Sequence, residues 1–204
     1  MSYKIIVARY NENIEWLNSE MSNCIIYNKG DKLCINNEIF LENVGRESET
    51  YLHYIITNYS NLPDVVVFTQ ARIADHKDTD DVNYLLNIKN EALQHNKSQN
   101  FHMHIEGTNR HCNKTWNLRQ DGYFLKDNYK NNNPITFVEW FKNNIDINYP
   151  NPIYIYWNAI FAVKKENIIN KPIEYYKKLI LEVNHHINPT EGHFFERSWY
   201  YIFN

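Results

Sequence analysis

Several short apolar runs of this sequence end in polar side chains that can hold a ligand. In open α/β sheets, ligands bind outside the carboxyl ends of the strands. If the runs form parallel strands, their polar ends share one edge of the sheet and line a pocket there. The residues are Arg9, Asn11 and Glu12 after the first run, Asn28 and Lys29 after the second, Gln70 and Arg72 after the third, and Lys164 and Lys165 after a late run. Strand ends also meet solvent, so surface polarity is the alternative interpretation.

A second candidate site is Gly45-Arg46-Glu47, which opens a strongly periodic helix. Free backbone N–H groups at the start of a helix attract anions, and the guanidinium of Arg46 would strengthen that attraction. We predict a pyrophosphate site here. The alternative is that Gly45 merely allows the turn into the helix. The sequence contains neither the dinucleotide-binding glycine fingerprint nor the P-loop signature.

The acidic stretch over residues 75–81 is the best oxygen-rich candidate for a divalent cation. Asp78, Asp80 and His76 are the predicted ligands of Mn²⁺ or Mg²⁺, because these hard cations favour carboxylates when they bridge a diphosphate. Asp75 is a candidate catalytic base. Capping of the following helix by Asp80 or Asp81 explains the same carboxylates without a metal.

Two further groups of residues carry candidate chemistry. His102, His104 and His111, with Cys112, could form a transition-metal site, although their spacing matches no standard zinc motif. Near the C-terminus, His193 and Glu196 are three residues apart, so a helix places both on one face and either is a candidate general base. The alternative for the C-terminal group is a buried ion pair between Glu196 and its neighbour Arg197.

The elements that must position these residues follow from hydrophobic periodicity. Residues 4–8, 24–27 and 65–68 are continuous apolar runs, which are typical of buried parallel strands. Helical patterns cover residues 11–19, the segment after Gly45, and residues 82–93, 136–142 and 173–186, and residues 191–203 form a last helix or turn. Residues 153–163 are predicted to be a long apolar strand region with an interruption at Asn158. We therefore predict an α/β fold, a single domain over residues 1–204 with a mostly parallel, Rossmann-like sheet flanked by helices. Residues 95–133 lack clear periodicity.

The composition excludes some classes of protein. The formal net charge is -3, so no basic surface directs the chain to nucleic acid. No window is apolar enough to span a membrane, and no signal peptide is visible, so we expect a cytoplasmic protein. The three cysteines form no paired motif, which fits a reducing compartment. Abundant Asn, Ile, Lys and Tyr indicate an AT-rich genome, such as that of a large DNA virus.

Motifs along nearly the whole chain resemble the uncharacterised family DUF3431. They are Val7-Ala8-Arg9-Tyr10-Asn11-Glu12, Ile26-Tyr27-Asn28-Lys29-Gly30, Asn43-Val44-Gly45-Arg46-Glu47, Asn61-Leu62-Pro63-Asp64, Phe68-Thr69-Gln70, Phe161-Ala162-Val163 and Gly192-His193-Phe194-Phe195-Glu196-Arg197.

The first strand with its Tyr-Asn-Glu loop, and the late Phe-Ala-Val strand with its helical end, are also distantly similar to GT-A glycosyltransferase domains. That similarity implies a GT-A-like sheet with a nucleotide-binding half over residues 1–94 and an acceptor or lid half over residues 95–204. The implied activity is transfer of a sugar from a nucleotide sugar to a hydroxyl of a glycan or other acceptor. By position, the similarity assigns Arg9, Asn11 and Glu12 to the nucleotide and directs residues 70–76 to the diphosphate. Together with the candidates above, the predicted site residues are Arg9, Asn11, Glu12, Arg46, Gln70 and Arg72 for the nucleotide, Asp78, Asp80 and His76 for Mn²⁺ or Mg²⁺, and Asp75, Glu196 and His193 for catalysis.

Two other functions remain open from the sequence. One is a non-catalytic carbohydrate- or protein-binding module, in which Trp116, Tyr123 and Tyr129 stack on sugars. The other is a metal-dependent hydrolase that uses the His-rich loop.

Overall fold

The structure is a computed structural model that describes residues 1–75, 78–94, 101–103, 110–112, 136–149, 153–155 and 159–203. A mixed sheet of six strands forms its centre, with the spatial order β3-β2-β1-β4-β8-β5. Its strands are β1 (Tyr3–Arg9), β2 (Cys24–Asn28), β3 (Glu38–Phe40), β4 (Val65–Gln70), β5 (Phe101–Met103) and β8 (Phe161–Lys164). Two short antiparallel strands, β6 (Arg110–Cys112) and β7 (Ile153–Ile155), pair separately.

Strand β1 lies between β2 and β4 and is parallel to both. Its register aligns Arg9 with Asn28 of β2 and Ala8 with Gln70 of β4. The chain first builds β2 and β3 on one side of β1 and then crosses to β4 on the other side. The order of strands therefore reverses between β1 and β4, which creates a crevice at their carboxyl ends.

The buried strands have two apolar faces because successive side chains point to opposite sides of a sheet. In β4, Val66 and Phe68 belong to one core cluster, whereas Val65 and Val67 belong to the other. The first cluster is rich in aromatic rings; for example, the ring centroids of Tyr51 and Phe68 are 4.8 Å apart. Burial on both faces explains why these strands read as unbroken apolar runs rather than alternating patterns.

Helices cover both faces of the sheet. The aromatic face packs against α1 (Arg46–Asn58), α3 (Phe137–Asn144), α5 (Ile173–Ile180) and α6 (Thr190–Phe203). The 3₁₀ helix Glu15–Asn23 and α2 (Val82–Gln94) cover the other face, and a short α4 (Lys165–Ile169) follows β8. The prediction of an α/β fold with helices around the sheet is confirmed. No helix in the described part of the chain is long and apolar enough to cross a bilayer.

The structure corrects the sequence prediction at three places. The interrupted strand region predicted over residues 153–163 contains two strands, β7 and β8, and they belong to different sheets rather than to one strand region. Strand β8 is antiparallel to β4, with Lys164 opposite Val65, so Lys164 and Lys165 lie at the edge opposite the carboxyl end of β1. The helix predicted over residues 173–186 ends at Ile180, and turns lead from there to α6. An apolar run specifies burial but carries no information about strand direction, which explains the error at β8.

Candidate functional site

A cavity of about 360 Å³ opens at the carboxyl ends of β1 and β4. The loop after β1, the start of α1 and the segment before α6 complete its wall. Four predicted nucleotide-binding residues line it together: Arg9, Glu12, Arg46 and Gln70. The other lining residues are Ala8, Tyr10, Lys29, Asn43, Glu47, Ile187 and Asn188.

Arg9 ends β1 and is only 7% exposed. Its Nε donates to the carbonyl of Glu12 at 2.9 Å. Its Nη1 donates to Asn28 Oδ1 at 2.8 Å and to the carbonyl of Asp31 at 2.9 Å, with a longer contact to the carbonyl of Tyr10 at 3.2 Å. These bonds tie the loop after β1 to the loop after β2 through a buried cation.

The second terminal nitrogen of Arg9, Nη2, has no bond among these contacts. A guanidinium carries five N–H groups, and the three on Nε and Nη1 are already used. Arg9 lines the cavity, so it offers two charged donors to an anion bound there. Because the rest of the side chain is fixed, these donors lose little conformational entropy when a ligand binds.

The loop after β1 is held in one shape by its own polar groups. Glu12 Oε2 accepts from the backbone N–H of Tyr10 at 2.7 Å and of Asn11 at 3.1 Å. Asn11 Oδ1 accepts from the N–H of Asp31 at 2.7 Å. A Cβ on Gly30 would lie 1.7 Å from the carbonyl oxygen of Tyr10, so only glycine fits there. Asn11 therefore shapes the loop and is not among the cavity-lining residues.

The start of α1 contains two consecutive residues in the left-handed region, Gly45 with φ 64° and Arg46 with φ 50°. The N–H of Gly45 donates to the carbonyl of His186 at 2.8 Å. Arg46 Nη1 donates to Asn188 Oδ1 at 3.2 Å, and its Nε lies 3.7 Å from Glu47 Oε2. The Arg46 side chain is 46% exposed, so its charge lies partly in solvent at the mouth of the cavity.

Lys29 follows β2 and is buried, with a side chain that is 5% exposed. Its Nζ donates to the carbonyl of Val44 and, at 2.7 Å, to that of Arg46. It also forms an ion pair of 2.8 Å with Oε2 of buried Glu49. Burial lowers the pKa of Lys29, and the carboxylate of Glu49 opposes that change.

The acidic segment before α2 lies outside the set of cavity-lining residues. Arg72 and Asp75 form an exposed ion pair of 3.1 Å. Asp80 Oδ1 accepts from the N–H groups of Ile73 and Ala74 at 2.7 and 2.8 Å, which closes the loop. Asp78 is exposed.

Capping at α2 is provided by Asp81, as the sequence allowed. Its Oδ1 accepts from the N–H of Asn83 at 2.9 Å, which satisfies a free donor in the first turn of the helix. His76 lies outside the described residues. Among the residues that the structure describes, no group of three or more His, Cys, Asp or Glu side chains is arranged to hold a metal ion. The Mn²⁺ or Mg²⁺ site stays a prediction, and the carboxylates that line the cavity are Glu12 and Glu47.

The C-terminal candidates lie on α6, which packs against the aromatic face of the sheet. Arg197 is 3% exposed, donates to the carbonyl of His193 at 2.6 Å and lies 3.4 Å from Glu196 Oε2. The contact between Glu196 and Arg197 matches the ion pair that the sequence left open as an alternative. Neither His193 nor Glu196 is among the cavity-lining residues, so their catalytic role stays a prediction.

The remaining candidates are the predicted transition-metal ligands and the aromatic residues predicted to stack on sugars. His102 lies on β5 and His111 and Cys112 on β6, so the backbone puts them in different sheets. His104, Trp116, Tyr123 and Tyr129 lie outside the described residues.

The sequence did not identify Ala8, Tyr10, Asn43, Ile187 and Asn188 as candidate site residues, and it placed Glu47 only in the motif that opens α1. Tyr10 and Asn43 lie within motifs that were recognised, so proximity to Arg9 and Gly45 was a usable signal. No sequence signal marks Ile187 and Asn188, because they reach the cavity only through the packing of α5 and α6 around α1.

Fold and site together define a mixed α/β protein with a polar, arginine-bearing cavity where its strand order reverses. The chain belongs to the family described as "Protein of unknown function (DUF3431)", which matches residues 5–204. No curated protein and no solved structure matches the chain.

Proposed function

We propose that the cavity binds the nucleotide diphosphate of a nucleotide sugar and that the protein is a glycosyltransferase with a GT-A-like, Rossmann-like core. Arg9, Arg46, Glu12 and Gln70 bind the donor, and a hydroxyl of a glycan or another acceptor receives the sugar. Residues 1–94 supply most of the donor site. The acceptor side belongs to residues 95–204.

The observation that carries this proposal is the state of Arg9. Its Nε and Nη1 are fixed by acceptors of the protein, which leaves the two N–H groups of Nη2 for a ligand of the cavity that Arg9 lines. An anionic oxygen in the cavity would accept charge-assisted hydrogen bonds from these groups. The position also fits, since ligands of doubly wound sheets bind where the strand order reverses.

The charges around the cavity favour a phosphate-bearing ligand. Lys29 is paired with Glu49 at 2.8 Å, and Arg9 and Arg46 are the other cations that line the cavity. Glu12 and Glu47 are the nearby carboxylates, and a Mn²⁺ or Mg²⁺ ion would offset their repulsion of a diphosphate. Asp75, Glu196 and His193 remain the proposed catalytic groups for activating the acceptor hydroxyl.

Calorimetric titration with UDP, GDP and their sugar conjugates, with Mn²⁺ or with a chelator, tests the proposal. At least one nucleotide diphosphate should bind, and at one hundred times its Kd it should stabilise the fold by about 2.7 kcal/mol. If uridine or guanosine binds as tightly as the corresponding diphosphate, the phosphate assignment is wrong. Binding of no nucleotide at all would overturn the function.

A pair of variants locates the site. Arg46→Gln should weaken nucleotide diphosphate binding by about ten-fold, since a charge-assisted bond contributes on the order of 1.5 kcal/mol. Arg72→Gln changes the net charge equally but lies outside the cavity lining, so its affinity should match that of the wild type. An equal loss in both variants would indicate general electrostatic attraction rather than this cavity.

A further inference from the structure

Lys29 lines the cavity, yet its ammonium group is held by the protein rather than directed at a ligand. Of its three donors, the carbonyls of Val44 and Arg46 accept from two. The ammonium also forms an ion pair of 2.8 Å with the buried carboxylate of Glu49. A role other than ligand binding must therefore account for this buried cation.

The two carbonyls that Lys29 holds flank Gly45 in the turn before α1. Arg46 has φ 50°, and a residue with a Cβ in this region is strained by about 1–3 kcal/mol. Such strain persists only where surrounding contacts fix it. Here the contacts are the bonds from Lys29 Nζ and the bond from the N–H of Gly45 to the carbonyl of His186.

The strained turn decides where the Arg46 side chain goes. If residue 46 had the negative φ of the ordinary right-handed region, its side chain would leave the backbone in a different direction. With φ 50°, Arg46 reaches the cavity and meets Asn188 at 3.2 Å. The Lys29–Glu49 ion pair also anchors the turn to the first turn of α1.

We infer that Lys29 is a positioning residue that locks the Val44–Gly45–Arg46 turn and so presets Arg46 for an anion in the cavity. This rests on the proposed function as far as the ligand is concerned. The lock itself concerns the unliganded chain and can be tested without any ligand.

A single substitution of Lys29 would leave Glu49 buried and unpaired, which can unfold the protein. The test therefore uses the double variant Lys29→Met/Glu49→Leu, because apolar replacement of a buried pair is often tolerated. Hydrogen exchange of the Gly45 amide is the first measurement. It should quicken by at least about ten-fold, while the Ile55 amide within α1 keeps its wild-type rate. Unchanged exchange at Gly45 in a folded double variant would overturn the lock.

The second measurement separates positioning from plain structural support. UDP or GDP, whichever binds the wild type, is titrated into the wild type, Arg46→Gln, the double variant, and the double variant with Arg46→Gln added. If Lys29 acts through Arg46, the Arg46→Gln loss of about ten-fold in the wild type shrinks to less than about two-fold in the double variant. A full ten-fold loss in both backgrounds would overturn the inference. Quicker Gly45 exchange in a chain that binds no nucleotide would uphold the lock and refute the proposed function.

Discussion

Arg46 at the start of α1 and Asn188 just before α6 are joined by a hydrogen bond of 3.2 Å across 142 positions of sequence. The neighbouring bond from the Gly45 N–H to the His186 carbonyl runs between the same two segments. The wall of the cavity is thus built from distant parts of the chain, and the segment before α6 fixes the rotamer of a cavity arginine.

The first prediction concerns Asn188. Asn188→Ala removes the acceptor that orients the partly exposed Arg46 side chain, so nucleotide diphosphate affinity should fall by about three- to ten-fold. The free energy of unfolding should change by less than about 1 kcal/mol, because the bond is exposed. Titration calorimetry and urea denaturation measure the two effects. Asn184→Ala, in the same segment but outside the cavity lining, is the control and should bind normally.

The second prediction concerns Arg9. Arg9→Met removes the charged donor from Asn28 Oδ1 and from the carbonyls of Glu12 and Asp31. Asn28 Oδ1 keeps the N–H of Gly30 and the Asp31 carbonyl keeps Asn28 Nδ2, so the free energy of unfolding should fall by about 2 kcal/mol. Urea denaturation measures it. Arg72→Met loses only an exposed ion pair and should stay within about 0.5 kcal/mol of the wild type. Equal effects would contradict the assignment of Arg9 as the link between the two loops.

The third prediction concerns two glycines that differ in their surroundings. At Gly45, a Cβ would lie 2.4 Å from Glu49 Cβ and 2.7 Å from the Val183 carbonyl oxygen, and φ is +64°. Gly45→Ala should therefore destabilise the fold by more than about 2 kcal/mol. Gly192→Ala meets no atom within 4 Å in helix α6 and should stabilise it by about 0.4–1 kcal/mol. Thermal denaturation of both variants should show shifts of opposite sign.

The fourth prediction is a pH dependence that Glu191 introduces. Glu191 is buried at the start of α6, and its Oε2 has no hydrogen-bond partner among the residues that the structure describes. Burial raises its pKa to about 7, and the nearby charge of Glu182 adds to the rise. The folded state thus binds this proton more tightly than the unfolded state, whose glutamate has a pKa of about 4.3. The stability that protonation contributes is complete below about pH 4 and is lost as the pH rises through about 7.

Glu191→Gln removes this titration. Between about pH 5 and 7 the wild type should lose up to about 1.4 kcal/mol more per pH unit than the variant, and at about pH 8 the variant should be the more stable protein. Urea denaturation at three pH values gives both slopes. Glu174→Gln alters an exposed carboxylate and should run parallel to the wild type. Parallel slopes for Glu191→Gln would show that Glu191 is not protonated in the folded state.

The sequence predicted most of the central strands, because a strand that is buried on both faces appears as a continuous apolar run. The runs at β1, β2 and β4 contain few or no charged residues, and the structure places strands there. The same reasoning brought Arg9, Glu12 and Gln70 to one cavity, because parallel neighbours such as β1 and β4 end at a common edge. Arg46 followed from the physics of helix starts.

What sequence reasoning could not provide depends on tertiary packing. Nothing in Phe161–Lys164 indicates that β8 is antiparallel, and this direction alone moves Lys164 away from the cavity. Nor does a sequence show which N–H groups are already used. Lys29 and Arg9 looked alike as strand-end cations, yet the structure pairs Lys29 with a buried carboxylate and leaves two N–H groups of Arg9 for a ligand.

The position of β8 has a consequence for how the chain can be divided. β8 covers the side of β4 that faces away from β1, and it comes from the second half of the chain. A fragment ending at residue 94 would present the edge of Val65–Gln70, which contains four consecutive large apolar residues, to other copies of itself. Open edges of this kind recruit strands from other molecules and lead to aggregates. By pairing with the edge of β4, the later half of the chain therefore prevents intermolecular strand pairing by the earlier half, whatever it contributes to the chemistry.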